Sequence, residues 1–371
     1  MRILHLSSAR TFGGGERHLV DLCRGLEERG DEVFVALRPT NDWQSRLDFL
    51  PAERILHVSI RNSFGMFSAQ RLGRFMADRE IDVIHAHVGR DYLAAAVAAR
   101  LSAGTRFVLT RHVLFPMKPF YRFALRNLDA AVGVSPPVVD ELRKIFPASK
   151  VHLIFNGLDP APLESEKERG TEFRRFHDIA DDEFLIASVG ELKPLKGQRD
   201  LILAAAELLK EHPRCRFLIV GVDNAAGSPF RRELKRMVRV LGMEDRFLWL
   251  DWIEDLSPLL AASDLFVSPS HSESFGLAIL EAMGAGLPIA STDTEGARVL
   301  IGDAAERTAP EDPVALARLM SGFAADREAC SRIGAVMRER ALSMFALSRT
   351  VDDYRSLYRS LKEKKGVRQP G

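Results

Sequence analysis

The sequence predicts an α/β protein made of two Rossmann-like domains in tandem, each a doubly wound parallel sheet. Three observations carry this. Short β-branched or Leu-rich runs alternate with amphipathic helical patterns along nearly the whole chain, which is the signature of parallel strands joined by helices. The alternation breaks once, over NGLDPAPLESEKERG (156–170), where prolines, glycines and clustered charges read as a linker. A second series of the same kind then begins. The 371 residues suffice for two domains, each with a core of its own.

In the first half the strands fall at Ile3–Leu6, Glu32–Leu37, Ile55–Val58, Val83–His87, Phe107–Thr110, Ala130–Val134 and Val151–Phe155. Helical patterns lie between most of them, at Glu16–Arg29, Ala69–Arg79, Tyr92–Leu101 and Pro137–Ile145. The second series has strands at Phe184–Val189, Arg216–Val220, Phe247–Leu250, Leu265–Val267 and Pro288–Ala290, and helices at about Gln198–Glu211, Phe230–Leu241, Leu277–Met283 and Pro313–Phe323. The last 40 or so residues read as helix without strands, ending in a frayed tail, LKEKKGVRQPG. The expected organisation is a domain over 1–160, a domain over 171–345, and a C-terminal helix and tail over 346–371 that packs back on the first domain. Ligands of such sheets bind beyond the carboxyl ends of the strands, and two such ends facing each other make an interdomain cleft.

Composition narrows the function. The chain is 46% hydrophobic and 28% charged with a net charge of +1, which argues against a dedicated nucleic-acid binder. Residues 1–165 carry a net +4 and the remainder a net −3. Cys23, Cys215 and Cys330 match no metal or redox spacing and read as small buried hydrophobes in a reducing compartment. MRILHLSS begins a strand rather than a long apolar segment, and no apolar run approaches the ~20 residues of a membrane span. A cytoplasmic protein is expected. Between Asp91 and Asp129 there is no acidic residue, while Arg100, Arg106, Arg111, Lys118, Arg122 and Arg126 fall in the gap. Within it, LFPMKPFYRFALRNLD mixes Phe115, Phe120, Tyr121 and Phe123 with bases. Basic and aromatic residues on one helix suit an anionic membrane surface; an ordinary helix with a packed aromatic face is the other reading.

The strongest chemical signal is HSESFGLAILE (271–281). Glu273 lies in a loop just after a strand, and Glu281 lies on the helix that Phe275-Gly276 opens. A helix N-terminus presents free N–H groups and suits a phosphate. Gly276 lets backbone approach a ligand, and a carboxylate accepts hydrogen bonds from vicinal sugar or ribose hydroxyls. Gly13-Gly14-Gly15 follows the first strand and precedes a helix, allowing positive φ and close approach, but it lacks the G-x-G-x-x-G dinucleotide spacing. Lys196 ends a loop after Phe184–Val189 and offers a mobile point charge for diphosphate oxygens. His112 follows the strand Phe107–Thr110, with Arg111 beside it. His85 and His87 are expected on opposite faces of Val83–His87, one of them reaching the cleft. The chain has no Asp-x-Asp triplet, and no metal site is evident.

Residues 263–296, SDLFVSPSHSESFGLAILEAMGAGLPIASTDTEG, resemble the donor-binding signature of the family 4 retaining glycosyltransferases, which have the GT-B fold. The segments GGGERHLVDL (13–22), DVIHAHVG (82–89), VGVSPPVVDEL (132–142), NGLD (156–159) and VGELKPLKG (189–197) resemble further markers of that family, in order. The resemblance implies transfer of a sugar from a nucleotide sugar, UDP- or GDP-linked, to a glycan or lipid-linked acceptor of the cell envelope, without cofactor or metal. It assigns His112, Lys196 and Glu273 to catalysis. Gly14, Gly15, Gly190, Lys196, Ser274, Phe275, Gly276, Leu277 and Glu281 fall to the donor, and Glu16, His87 and Arg111 to the acceptor. The sequence departs from the family where an Arg is common, at Glu191; Lys193 and Arg199 are the nearest replacement bases. A catalytically silent nucleotide-sugar or glycan binder, and a nucleotide-sugar 2-epimerase, remain as alternative readings.

Overall fold

A computed structural model describes residues 1–60, 66–159 and 167–363. The linker residues 160–166 and the tail 364–371 lie outside the described residues. The chain divides into two compact units, Met1–Gly157 with Leu347–Gly371, and Leu158–Ala346.

The first unit contains β1 (Arg2–Ser7), α1 (Gly14–Glu28), β2 (Glu32–Leu37), β3 (Ile55–His57), α2 (Met66–Asp78), β4 (Val83–Ala86), α3 (Tyr92–Leu101), β5 (Arg106–Arg111), α4 (Tyr121–Ala124), β6 (Ala130–Gly133), α5 (Pro136–Arg143) and β7 (Val151–Leu153). The strands form one parallel sheet in the order β3-β2-β1-β4-β5-β6-β7. They read as near-continuous apolar runs because both faces are covered: β1, β2 and β5 are buried at every position but the first.

The second unit runs α6 (Lys167–Phe176), β8 (Phe184–Val189), α7 (Gln198–Glu211), β9 (Cys215–Val220), α8 (Pro229–Val240), β10 (Phe247–Leu250), α9 (Ser257–Ala262), β11 (Leu265–Ser268), α10 (Leu277–Gly284), β12 (Ile289–Thr292), α11 (Glu295–Ile301), β13 (Arg307–Thr308), α12 (Pro313–Ala325) and α13 (Arg327–Met344). Its parallel sheet has the order β10-β9-β8-β11-β12-β13. Phe184, Ile186, Phe217, Ile219, Leu265 and Val267 from the strands pack against Leu201, Leu208 and Leu234 from α7 and α8.

The last helix, α14 (Leu347–Glu363), belongs to the first unit. Its buried stripe, Val351, Tyr354, Tyr358 and Leu361, joins the core of Leu19, Leu22, Cys23 and Leu26 on α1 and Val33 and Val35 on β2. The i, i+3, i+4 spacing of that stripe makes α14 an amphipathic helix whose apolar face needs a partner. Ion pairs Arg29–Asp352 (2.6 Å) and Arg355–Asp31 (2.7 Å) flank the contact.

Four expectations are corrected. α1 begins at Gly14, so Gly14 and Gly15 are its first residues rather than a loop. None of the three glycines has positive φ; Gly13 is extended at φ −149°. The 114–129 segment is helical only over Tyr121–Ala124, and Phe115, Phe120 and Phe123 are exposed, so it has no packed aromatic face. His85 and His87 share a face, with ring centroids 4.0 Å apart and both residues buried. Side chains two residues apart along a strand point the same way.

In each sheet the chain order reverses once: between β1 and β4 in the first unit, and between β8 and β11 in the second. A crevice opens at such a reversal, because the connections on its two sides leave toward opposite faces. Most of the expected site residues lie on the loops or helix starts that follow these strands, while Arg111 ends β5, His112 follows it and Glu281 lies within α10.

Candidate functional site

In the second unit, the loop after β8 carries Gly190, Glu191 and Lys196, and the loop after β11 carries His271 to Gly276. Two glycines bring these loops together. Gly197 has φ +68°, and a Cβ there would run into the Pro269 carbonyl, so the turn can sit directly on the second loop only as glycine. Gly276 has φ +98°, and a Cβ there would meet Ile279 Cδ1 at 3.1 Å and Glu273 Cγ at 3.3 Å. Its left-handed backbone turns the chain from the Glu273 loop into α10. The His271 amide donates to the Leu195 carbonyl (2.9 Å), and the Gly296 amide donates to the Glu273 carbonyl (2.8 Å), tying in the start of α11.

Lys196 Nζ is thereby placed on Glu273 Oε2, in an ion pair between half-buried side chains. The aliphatic stem of Lys196 lies over Gly190, whose added Cβ would sit 3.9 Å from Lys196 Cδ. Phe275 is buried and meets Phe345 edge-on at 5.9 Å, so its ring anchors the loop in the core. Ser274 and Leu277 are half-buried at the start of α10, and Glu281, one turn further along, is 8% exposed. The first-turn amides of α10 have no acceptor within the helix, and its N-terminus has no side-chain cap. A cation, a carboxylate and a helix N-terminus whose cap residue is a glycine therefore sit together, with Glu281 one turn into that helix.

Glu191 does not oppose Lys196 directly. Its carboxylate takes hydrogen bonds from Lys193 (2.5 Å) and Asn224 (3.1 Å). Partial burial resists its ionisation, but these two bonds and the charges of Lys193 and Lys196 outweigh that and lower its pKa. Lys193 is thus engaged by Glu191, and Arg199 is held by Glu233 through two bonds of 2.6 and 2.9 Å. Among the expected bases, Lys196 alone is paired with a site carboxylate.

In the first unit, Gly15 touches His112: a Cβ there would lie 3.6 Å from His112 Cδ2. His112 is half-buried, and burial lowers its pKa to about 4, so its ring is neutral at pH 7. Glu16 is half-buried. Burial raises its pKa against the amides of Glu16 and Gly13, the Ser7 hydroxyl and the charge of Arg90. His87 is 5% exposed, and its Nε2 lies 3.0 Å from His5 Nδ1. Arg111 is 7% exposed and its Nη2 donates to the Phe115 carbonyl, which places the guanidinium inside the turn after β5.

The structure adds residues that sequence reasoning missed. His5 and His18 join His85, His87 and His112 in one histidine cluster. Asp91 is fully buried and accepts from the Ser8 amide at 2.7 Å, bridging the β1 and β4 loops. Burial raises its pKa to about 7, against hydrogen bonds from Ser8 and the charge of Arg90 and with the help of Glu16. GRD after a strand carries no motif, and His18 and His5 lie at unremarkable helix and strand positions, so only their convergence marks them.

The two halves of the chain match two family models: "Glycosyltransferase Family 4" over residues 12–162 and "Glycosyl transferases group 1" over residues 170–340. The chain belongs to the family 4 glycosyltransferases. N-acetyl-alpha-D-glucosaminyl L-malate synthase of Bacillus anthracis is 24% identical to this glycosyltransferase, covering 94% of each chain. The lipopolysaccharide core biosynthesis glycosyltransferase LpsE of Rhizobium meliloti is 26% identical over 97% of this chain and 99% of its own. Anabaena Alr3699/HepE, solved in complex with UDP, superposes with a TM-score of 0.85 at 21% identity, covering 97% of this chain and 100% of that one. The last likeness establishes the GT-B fold, with its two parallel-sheet Rossmann-like domains. Among the described residues, no helix is long and apolar enough to cross a membrane.

Proposed function

We propose that this glycosyltransferase moves a hexosyl or related sugar from a UDP- or GDP-linked donor to a glycan or lipid-linked acceptor of the cell envelope, with retention of anomeric configuration and without a metal ion. The observation that carries the reading is the Lys196–Glu273 pair beside α10, the helix that carries Glu281, at the chain reversal of the second sheet. A nucleoside diphosphate fits these groups by its chemistry. Its phosphates are acceptors for Lys196 and the first-turn amides of α10, and its ribose and sugar hydroxyls are donors for two carboxylates.

In the proposed reaction the bond from the anomeric carbon to the diphosphate oxygen breaks and one to the acceptor oxygen forms on the same face. The acceptor proton passes to the departing diphosphate. Lys196 and the α10 amides take up the charge that develops on the leaving group. Glu273 lies within reach of the group that carries the sugar, and His112, neutral because it is buried, is assigned to the sugar as a hydrogen-bonding ring. Glu16 is the most accessible of the acceptor-side assignments, with His87 and Arg111 behind it. The envelope acceptor draws support from the name of the LpsE relative. The other relative is called a glucosaminyl L-malate synthase, so a shared fold does not fix one acceptor.

A thermal-shift panel with UDP, GDP, ADP, dTDP and CMP, each with and without magnesium, tests the donor. A shift with UDP or GDP that magnesium does not alter is the expected result; a hundredfold excess over Kd adds about 2.7 kcal/mol. No shift with any of the five would favour a silent binding protein over a transferase.

The acid-free stretch extends the proposal to the inner face of the cytoplasmic membrane. Phe115, Phe120 and Phe123 are 69, 53 and 77% exposed beside exposed Lys118, Arg122 and Arg126. Apolar rings among bases suit an anionic lipid surface, where each base near the headgroups adds about 1 kcal/mol. The protein is expected to sediment with anionic liposomes at low salt and to be released as salt rises. Failure to sediment removes the membrane part of the proposal.

A further inference from the structure

We infer that His18, His87 and His112 form a three-imidazole site for a divalent cation of the zinc class. The three residues come from α1, the loop after β4 and the turn after β5, at the carboxyl edge of the first sheet. One ring nitrogen from each lies within 4.8 Å of the others. The ring centroids are 5.1 Å apart for His18 and His112 and 6.0 Å for each of the other two pairs. Zinc binds imidazole nitrogen at about 2.0–2.1 Å, which sets tetrahedral ligands roughly 3.4 Å apart. The rings must turn to close the difference when the ion binds.

Two observations point to a ligand rather than to packing. His18 and His87 are 3 and 5% exposed, yet His18 Nε2 and His87 Nδ1 have no hydrogen-bond partner among the described residues. An unpaired buried polar atom costs about 1–3 kcal/mol, and a metal bond would satisfy it. The other ring nitrogen of His87 is held by His5 at 3.0 Å. With the proton on His87 Nε2 donated to His5 Nδ1, the lone pair of His87 Nδ1 is left for a metal, the arrangement in which an outer hydrogen bond orients a ligating imidazole. Burial also keeps all three rings neutral, the form that ligates.

The cluster offers a second triad, His5, His85 and His87, which the structure disfavours. Both nitrogens of His85 are already taken, by the Tyr358 hydroxyl at 2.6 Å and the Thr110 hydroxyl at 2.7 Å. An all-imidazole donor set selects zinc, cobalt, nickel or copper and leaves out magnesium and calcium, which take oxygen ligands. A cation there would occupy the ring assigned to the donor sugar, so zinc would inhibit transfer; that consequence rests on the proposed function, while the binding itself does not.

The test uses tag-free protein stripped with a chelator and titrated with zinc chloride by calorimetry. One ion per chain is expected, with affinity falling at least about tenfold in His18→Asn and in His112→Asn. His57→Asn, whose ring pairs with Gln44 at 2.7 Å elsewhere in the unit, should bind as the wild type does, and magnesium should give no heat. Cobalt titrated into the wild type supplies a readout that needs no variant: nitrogen-ligated cobalt shows visible ligand-field bands. Absence of saturable zinc binding and of those bands, or binding that survives both His18→Asn and His112→Asn, overturns the assignment. A UDP shift on the same sample keeps this outcome separate from failure of the donor proposal.

Discussion

Replacement of Lys196 by Ala is expected to lower kcat by about 10²–10³ while the donor KM changes far less. The reasoning is electrostatic. Lys196 is the base that the loops after β8 and β11 place on Glu273, beside the N-terminus of α10. Charge on a diphosphate grows as the bond to the sugar breaks, so a cation positioned there helps the transition state more than the bound donor. Loss of one preorganised donor to a developing oxyanion costs about that factor. The resting ion pair with Glu273 sharpens the expectation. In the proposed site a diphosphate would draw Lys196 away from Glu273, and the freed carboxylate would then meet the sugar that the same diphosphate carries. Lys196→Arg should recover part of the rate, because charge is kept while the planar fork fits the point-charge position poorly. Both side chains are partly exposed, so the variant leaves no deeply buried lone charge and should melt near the wild type. A Lys196→Ala enzyme with wild-type kcat would show that the diphosphate lies elsewhere.

The second large effect is on binding. Glu281→Ala should weaken UDP or GDP by about ten- to a hundredfold, measured by calorimetry without acceptor. Glu281 is 8% exposed on α10, whose N-terminus is the proposed phosphate site. Its carboxylate is suited to the ribose hydroxyls, and a hydrogen bond to a charged group contributes about 1.5–3 kcal/mol, with 1.4 kcal/mol per factor of ten. Glu281→Gln, which keeps one oxygen acceptor, should lie between the two. Because the ribose is remote from the breaking bond, saturating donor should restore much of the rate in Glu281→Ala but not in Lys196→Ala. That contrast separates a binding carboxylate from a catalytic cation. Equal affinity in wild type and Glu281→Ala would leave the nucleotide with another anchor.

The departure at Glu191 becomes intelligible beside these two residues. From the sequence it reads as an acid where the family commonly has a base. In the structure its carboxylate is bonded to Lys193 and Asn224, while Lys196 turns to Glu273. The acid is partly neutralised by the base two residues on, and the cation at the centre of the proposal stays in place.

The sequence by itself determined what depends on neighbours along the chain. Short β-branched or Leu-rich runs marked the strands, because a strand covered on both faces must be apolar at nearly every position. The loop-to-helix element around Glu273, Gly276 and Glu281 was legible for the same reason: its residues are consecutive, and one left-handed glycine and one helix start define it. Tertiary structure alone decided the partners. Lys196 and Glu273 are 77 residues apart and meet because β8 and β11 are neighbours at the chain reversal. His5, His18, His87 and His112 come from separate elements and converge only when β1, β4 and β5 lie side by side under α1. The C-terminal helix was expected to pack back on the first domain, but which surface receives it was not: α14 lays its stripe on apolar residues of α1 and β2. Periodicity tells which face of an element must be buried, and only the packed sheet decides what buries it.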